Sequence, residues 1–485
     1  MASTSALELS TSQLGIVRGG ANPPGTVEEC NRLLQKNHET YHMFFREIAG
    51  MNHISHSLLT CLALGAGPQE LRDRYEDEAV GQRPMPPVDG ELVEKLDDAA
   101  TFLQTMHVKA QYNTFLRFFE RKVAEKGYKA VVQEYVFAGT EVAERMFSSM
   151  FDGLYHPLIH LGLGIEFQLP GIIAEALAQA AANDDSDLHK LFGMCEAQAA
   201  AYDTSASAEE NGNSKKAAAP PSLLQLVHAI RASDEVRTAP RWSDFGLKLR
   251  NGIVARAGDA FARIAGKVRV AADEAELQRR TAEMISTVAY MCGEAQFAGR
   301  KTKIDFFWMH SVTSSIFMSV FARQGDWISL RDRARLLEFK MRTDLAWYAC
   351  SASPPLVGTF IANYSSPESD GWAWEDVFSA VTKQHDDGHA AKFIRALKNG
   401  EQAAKEYEQG PWADYFPMKG DMWLRLARMG HDTTKDMPID LKWVRFVGYD
   451  EAWQRPDLMQ GKKPQIPDAP SAAPVANGQT KEICV

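Results

Sequence analysis

Apolar residues recur at helical spacing through most of this chain, and no series of alternating strands interrupts them. Leu33, Leu34, Tyr41, Phe44, Phe45 and Ile48 form one such run, and Phe306, Phe307, Trp308, Val312, Ile316, Phe317 and Val320 another. The one short strand candidate, around Val444, Phe446 and Gly448, has nothing to pair with, and a lone strand makes no sheet. The chain is therefore expected to be all-α. At 485 residues, 45% of them hydrophobic, it can bury a sizeable core. The low-complexity stretch at about 201–221 (AYDTSASAEENGNSKKAAAPP) has a composition that builds no core, and histidine-bearing segments that belong together lie on both sides of it. It is expected to be a disordered insertion. The organisation that follows is a single large helical domain over 27–455 with a histidine-rich interior cavity, between flexible tails at 1–26 and 456–485.

Charge and cysteine usage remove several classes of function. With 53 basic and 63 acidic side chains the formal charge is -10, which argues against the basic face of a nucleic-acid binder. No apolar run is long enough to cross a membrane, and Met1 to Gly15 holds no Lys or Arg that would begin a targeting segment. A cytoplasmic protein is expected. Cys30, Cys61, Cys195, Cys292, Cys350 and Cys484 contain no C-x-x-C pair, so neither a zinc ribbon nor a disulfide framework is indicated.

Histidine is concentrated in four segments of helical, apolar sequence, where a buried metal or proton-transfer site would be built. His53 and His56 are three apart and share a helical face. His156 and His160 are four apart, the spacing by which one helix offers two ligands to one ion. Pro157 is tolerated only in a first turn, so that helix should begin near His156. His310 stands alone among large apolar residues, and His389 and Lys392 are three apart behind Asp386 and Asp387. Each signal has an ordinary counterpart: a core histidine donating to a carbonyl, or, for the two aspartates, a helix cap and first turn. Gly162-Leu163-Gly164 lacks the third glycine and the preceding strand of a dinucleotide turn, and reads as close helix packing. No flavin motif is found.

Taken in order, these segments resemble the questin oxidase family of fungal Baeyer-Villiger-type oxidases. The resemblance rests on Asn52, His53 and His56; on His156, His160, Gly162, Gly164 and Glu166; on His310; and on Asp387, His389, Lys392, Arg395 and Ala396, and it spans about 28–450. It implies an oxidoreductase that opens a ring of an anthraquinone-like aromatic polyketide in secondary metabolism, using molecular oxygen, with NADPH supplying reducing equivalents through the chain itself or a partner reductase. It further implies non-haem iron held by four histidines and a carboxylated lysine. Carried onto this sequence, the expected metal ligands are His56, His156, His160, His310 and Lys392, with His53 and His389 as catalytic neighbours that orient ligands or move protons. Phe44, Phe45, Phe306, Phe307 and Trp308 are expected near the ligands, as ring surfaces for a flat substrate. Two other classes compete. The pairs His385-Asp386 and His431-Asp432 would suit a helical metal-dependent phosphohydrolase, and a non-catalytic helical scaffold would explain the helices but not the imidazole pairs.

Overall fold

Helices that are apolar all the way round have to be covered on every side, and they form the centre of the protein. The computed structural model describes residues 6–47, 50–210 and 220–459. The helices that matter for the site are α1 (Thr26–Thr40), α2 (Ile54–Ala63), α3 (Pro68–Ala79), α4 (Tyr112–Lys126), α5 (Asp152–Glu166) and α6 (Pro170–Ala182). From the second half come α7 (Glu274–Glu294), α8 (Phe306–Ala322), α9 (Leu330–Cys350), α10 (His389–Ala404) and α11 (Met422–Thr434). Among the described residues there is no strand, and the Val444 region contributes only a single bridge to Asp305. The all-α expectation holds.

Four helices close into a ring: α2 packs on α5, α5 on α8, α8 on α10, and α10 back on α2. These are the four that carry the histidine segments, so the two halves of the sequence meet at one axis. Around them, α6 covers α5, α7 covers α8, and α11 covers α10. Glycine permits the tightest contacts. A Cβ on Gly162 would lie 2.4 Å from the Phe317 ring of α8, and one on Gly164 would lie 2.9 Å from the backbone nitrogen of Ile173 in α6. Gly162→Ala is therefore expected to destabilise the fold by about 1–3 kcal/mol through overpacking, although alanine is the better helix former. A lower urea midpoint would register it.

Four sequence expectations need correction. The stretch before residue 26 is not a loose tail over its described part: Leu7, Leu9, Leu14 and Val17 are buried, at 9% exposure or less. It is tied down by polar partners that no periodicity reveals. The Leu7 N–H donates to Gln35 at 2.9 Å, the Leu9 N–H to Asn31 at 3.0 Å and the Gly19 N–H to Ala63 O at 2.9 Å. Helix Leu188–Glu210 runs on through the first part of the expected insertion, as its alanines favour, while 211–219 lie outside the described residues. At the other end the packed chain continues past 455, because Leu458 is buried and its carbonyl accepts from Lys301 N at 3.0 Å; residues 460–485 lie outside the described residues. The run from Leu33 to Ile48 is not one helix either. α1 stops at Thr40, Tyr41, Phe44 and Phe45 lie beyond it, and Ile48 is outside the described residues. Cys30, Cys61, Cys195, Cys292 and Cys350 are buried free thiols. No helix among the described residues is long and apolar enough to cross a membrane.

Candidate active site

The entry of α5 shows how local sequence aims a ligand. Gly153, Leu154 and Tyr155 are all left-handed, with φ of 58°, 60° and 64°, and regular helix starts at His156, with Pro157 in the first turn as its chemistry requires. Left-handed backbone at Leu and Tyr costs on the order of 1 kcal/mol or more per residue, and it persists only where the surroundings hold it. Here the Tyr155 hydroxyl donates to Asp344 of α9 at 2.8 Å, and Asp344 is paired with the buried Lys340. The Gly153 carbonyl, turned inward, accepts from His156 Nδ1 at 2.5 Å. That leaves His156 Nε2 as the atom facing the axis.

All six histidines of the four segments meet there. His53 caps the start of α2, and its Nε2 lies 2.5 Å from His156 Nε2. One turn on, His56 Nε2 lies 3.0 Å from His160 Nδ1. From the second half of the chain, His310 Nε2 and His389 Nε2 are 3.1 Å apart. The two halves are joined by ring contacts, with centroids 5.1 Å apart for His156 and His310 and 4.5 Å for His53 and His389. Lys392 completes the group, its Nζ 3.5 Å from His56 Nδ1. The ligand nitrogens of His53, His156 and His389 all lie within 4.8 Å of one another. The geometry therefore draws no line between expected ligands and expected neighbours, since this tight group contains His53 and His389 together with one expected ligand.

The electrostatics favour neutral imidazoles. Burial, reinforced by the Lys392 ammonium, holds His53, His56 and His156 well below the usual imidazole range. Burial does the same for His310, with His389 and His156 adding to it. Lys392 is buried, not turned to solvent, and burial brings its ammonium down to about 8 against the opposing pull of Glu78, Asp387 and Asp386. Glu78 is pushed well above the carboxylate range by burial and by the nearby Asp387. Only one of the two aspartates keeps to the foreseen role of helix cap. Asp386 caps the helix by accepting from Ala390 N at 2.9 Å, whereas Asp387 accepts from His389 Nδ1 at 2.7 Å and fixes that ring.

Some expected neighbours lie elsewhere. Phe306 meets the His310 and His389 rings at 4.7 Å and 5.3 Å. Phe44 packs instead on His42 and Tyr112, Phe45 beneath Arg46, Phe307 on Trp347 and Phe446, and Trp308 on Tyr348. They are core or edge residues off the axis: Phe307 and Trp308 by the helical turn, Phe44 and Phe45 because they lie beyond the end of α1. The His-Asp pairs proposed for a phosphohydrolase are not in the cluster: His385 is largely exposed and bonded to Asp77, and His431 bonds Asp432 beside Trp372. Three groups escaped the sequence reading. Glu175 lies 2.6 Å from His160 Nε2, His38 lies 2.6 Å from Glu175, and Glu78 stands near Lys392. A signal existed only for Glu175, the single acid in the apolar stretch PGIIAEALAQAAA.

Comparison with known proteins identifies the family. The questin oxidase-like family model matches residues 51–397, which include all six histidines and Lys392. The chain is 56% identical to the Baeyer-Villiger monooxygenase dmxR6 of Cryptosporiopsis sp. (strain 8999), over 94% of this chain and 99% of that protein. It is 53% identical to the Baeyer-Villiger oxidase AgnL3 of Paecilomyces divaricatus, over 95% of this chain and 97% of that one. To the questin oxidase of Aspergillus fumigatus it is 44% identical, over 91% of this chain and 96% of the other. With a family match across most of its length and relatives of this identity, the chain belongs to the questin oxidase-like family and is an oxidoreductase.

Proposed function

We propose that this chain opens a ring of an anthraquinone-like aromatic polyketide by Baeyer-Villiger-type insertion of oxygen beside a ring carbonyl, at a non-haem iron centre held by the histidine cluster and Lys392. One observation carries the metal. His310 Nδ1 donates to Phe306 O at 2.7 Å and His389 Nδ1 donates to Asp387, so both rings turn Nε2 to the axis, 3.1 Å apart, and as neutral rings they present two lone pairs to each other. Lone pairs at that distance repel unless a cation lies between them. Burial and the neighbouring cations disfavour an extra proton on His310 and on His156, and a metal ion suits a set of neutral imidazole donors. The Baeyer-Villiger and questin oxidase names of the relatives support the reaction class.

Iron bound here would supply the activation of molecular oxygen. The chain's own residues do the rest. His156, His310 and His389 are oriented through their far nitrogens, by Gly153 O, Phe306 O and Asp387 respectively. Lys392, with its ammonium brought down to about 8, is neutral in a usable fraction at neutral pH. Its free amine adds carbon dioxide, forming an N–C bond with loss of one proton, and the resulting carbamate contributes the anionic oxygen donor that six imidazoles lack. Phe306 offers an apolar ring beside His310 and His389 for a flat fused substrate. NADPH, used by this chain or by a partner reductase, would supply the reducing equivalents that turn the quinone into the electron-rich hydroquinone.

The test is metal analysis of the purified protein combined with oxygen uptake on a reduced anthraquinone. One iron per chain and substrate-dependent uptake are expected. Two metal ions with hydrolysis of a phosphate ester, or no metal and no uptake, would end this reading.

A further inference from the structure

The polar chemistry of the core does not stop at the histidine cluster. Glu175 of α6 is 1% exposed and has one carboxylate oxygen on each of two histidines: Oε2 is 2.6 Å from His160 Nε2, and Oε1 is 2.6 Å from His38 Nδ1 of α1. Beyond it, His38 Nε2 lies 2.9 Å from Glu120 of α4, which accepts from the partly exposed Arg117 at 2.7 Å. A continuous hydrogen-bonded chain thus leads from α5 across α6, α1 and α4 to the surface.

Its direction is fixed by what a carboxylate is able to do. An ionised carboxylate only accepts, so both nitrogens of His38 donate and the ring is an imidazolium. Its pKa agrees. Burial would lower the His38 pKa, but Glu120 and Glu175 outweigh it and carry it to about 10. Facing such an acceptor, His160 carries its proton on Nε2. Its Nδ1 is then a lone pair, directed at His56 Nε2, 3.0 Å away, and into the cluster.

We infer that Glu175, kept in place by His38, is a positioning residue that sets His160 in the Nε2–H tautomer, so that its Nδ1 is ready as a donor to the centre. The inference rests on the metal-centre reading proposed above. An ion pair in a helical core is an expensive way to tie helices together, since apolar residues of similar volume often serve as well. A role in orienting a ligand gives the charge a use that packing does not.

The experiment reads the tautomer first and the metal second. In metal-free protein labelled with 15N-histidine, the His160 resonances are identified by their loss in His160→Gln. The native protein should show a protonated Nε2 and an unprotonated Nδ1. Glu175→Leu removes the acceptor but strands the His38 cation, so Glu175→Leu with His38→Phe is the variant that keeps the core neutral. In that double variant the tautomer preference should be lost and iron(II) retention against a chelator should weaken by about 10–100-fold. Glu175→Gln still offers an oxygen to Nε2–H, so it should keep the tautomer and most of the retention. If the double variant kept both the tautomer and native iron retention, Glu175 would be a structural ion-pair member only and the inference would fall. If native protein bound no metal while the tautomer still followed Glu175, the metal reading would fail and the positioning role would stand.

Discussion

In Lys392→Arg, iron content and substrate-dependent oxygen uptake are expected to fall together, by about 100-fold or more, while the protein stays folded. Lys392 sits inside the cluster with Nζ 3.5 Å from His56 Nδ1, and burial, against the opposing pull of the nearby acids, already brings its ammonium down to about 8. A guanidinium does not lose its proton there. It would set a permanent cation beside the donors, and it could not add carbon dioxide. Lys392→Ala is the informative partner. It leaves a gap instead of a charge, so added acetate or bicarbonate should recover part of the oxygen uptake in Lys392→Ala and none in Lys392→Arg. Near-normal iron and turnover in Lys392→Arg would exclude the carbamate, and the donor set would then have to come from imidazoles alone, with His53 and His389 among them.

The second large effect lies one layer out. Glu166 at the end of α5 and Arg395 of α10 form a bidentate ion pair with both side chains essentially buried. Glu166→Ala leaves the guanidinium buried and uncompensated, which is expected to destabilise the protein by about 3–5 kcal/mol. Replacing both residues by methionine should recover most of that loss, because the cost lies in the unpaired charge. The amino-terminal strap reports on the same pair. Ile16 N–H donates to Glu166 at 2.7 Å and Arg395 donates to Val17 O at 3.2 Å, so amide exchange at Ile16 should accelerate in Glu166→Ala. Urea midpoints for the native protein, Glu166→Ala and the double methionine variant, with exchange at Ile16, decide it. Equal midpoints in all three would mean that the pair carries no stability.

Several features were legible because they are local. Periodicity identified the helices, Pro157 placed the start of regular helix at His156, and the spacings of His53 with His56 and of His156 with His160 put each pair on one helical face. The glycines at 162 and 164 announced close packing, and Phe317 and Ile173 are what they pack against. The aromatic assignments were weaker for the same reason. Spacing along a helix tells which way Phe307 and Trp308 each point, but not whether they meet imidazoles or, as they do, Trp347 and Tyr348.

By itself, then, the sequence determined an all-helical protein with imidazoles on the apolar faces of four helices, since helix formation and facing follow from residues three and four apart. Only the tertiary structure decided which nitrogens face one another, that Glu175 stands behind His160 and His38 behind Glu175, and that Leu7 to Val17 cover the core instead of trailing from it. Those contacts join residues far apart in the chain. Their energies depend on burial and on the direction of individual hydrogen bonds, and both exist only once the ring of α2, α5, α8 and α10 has closed.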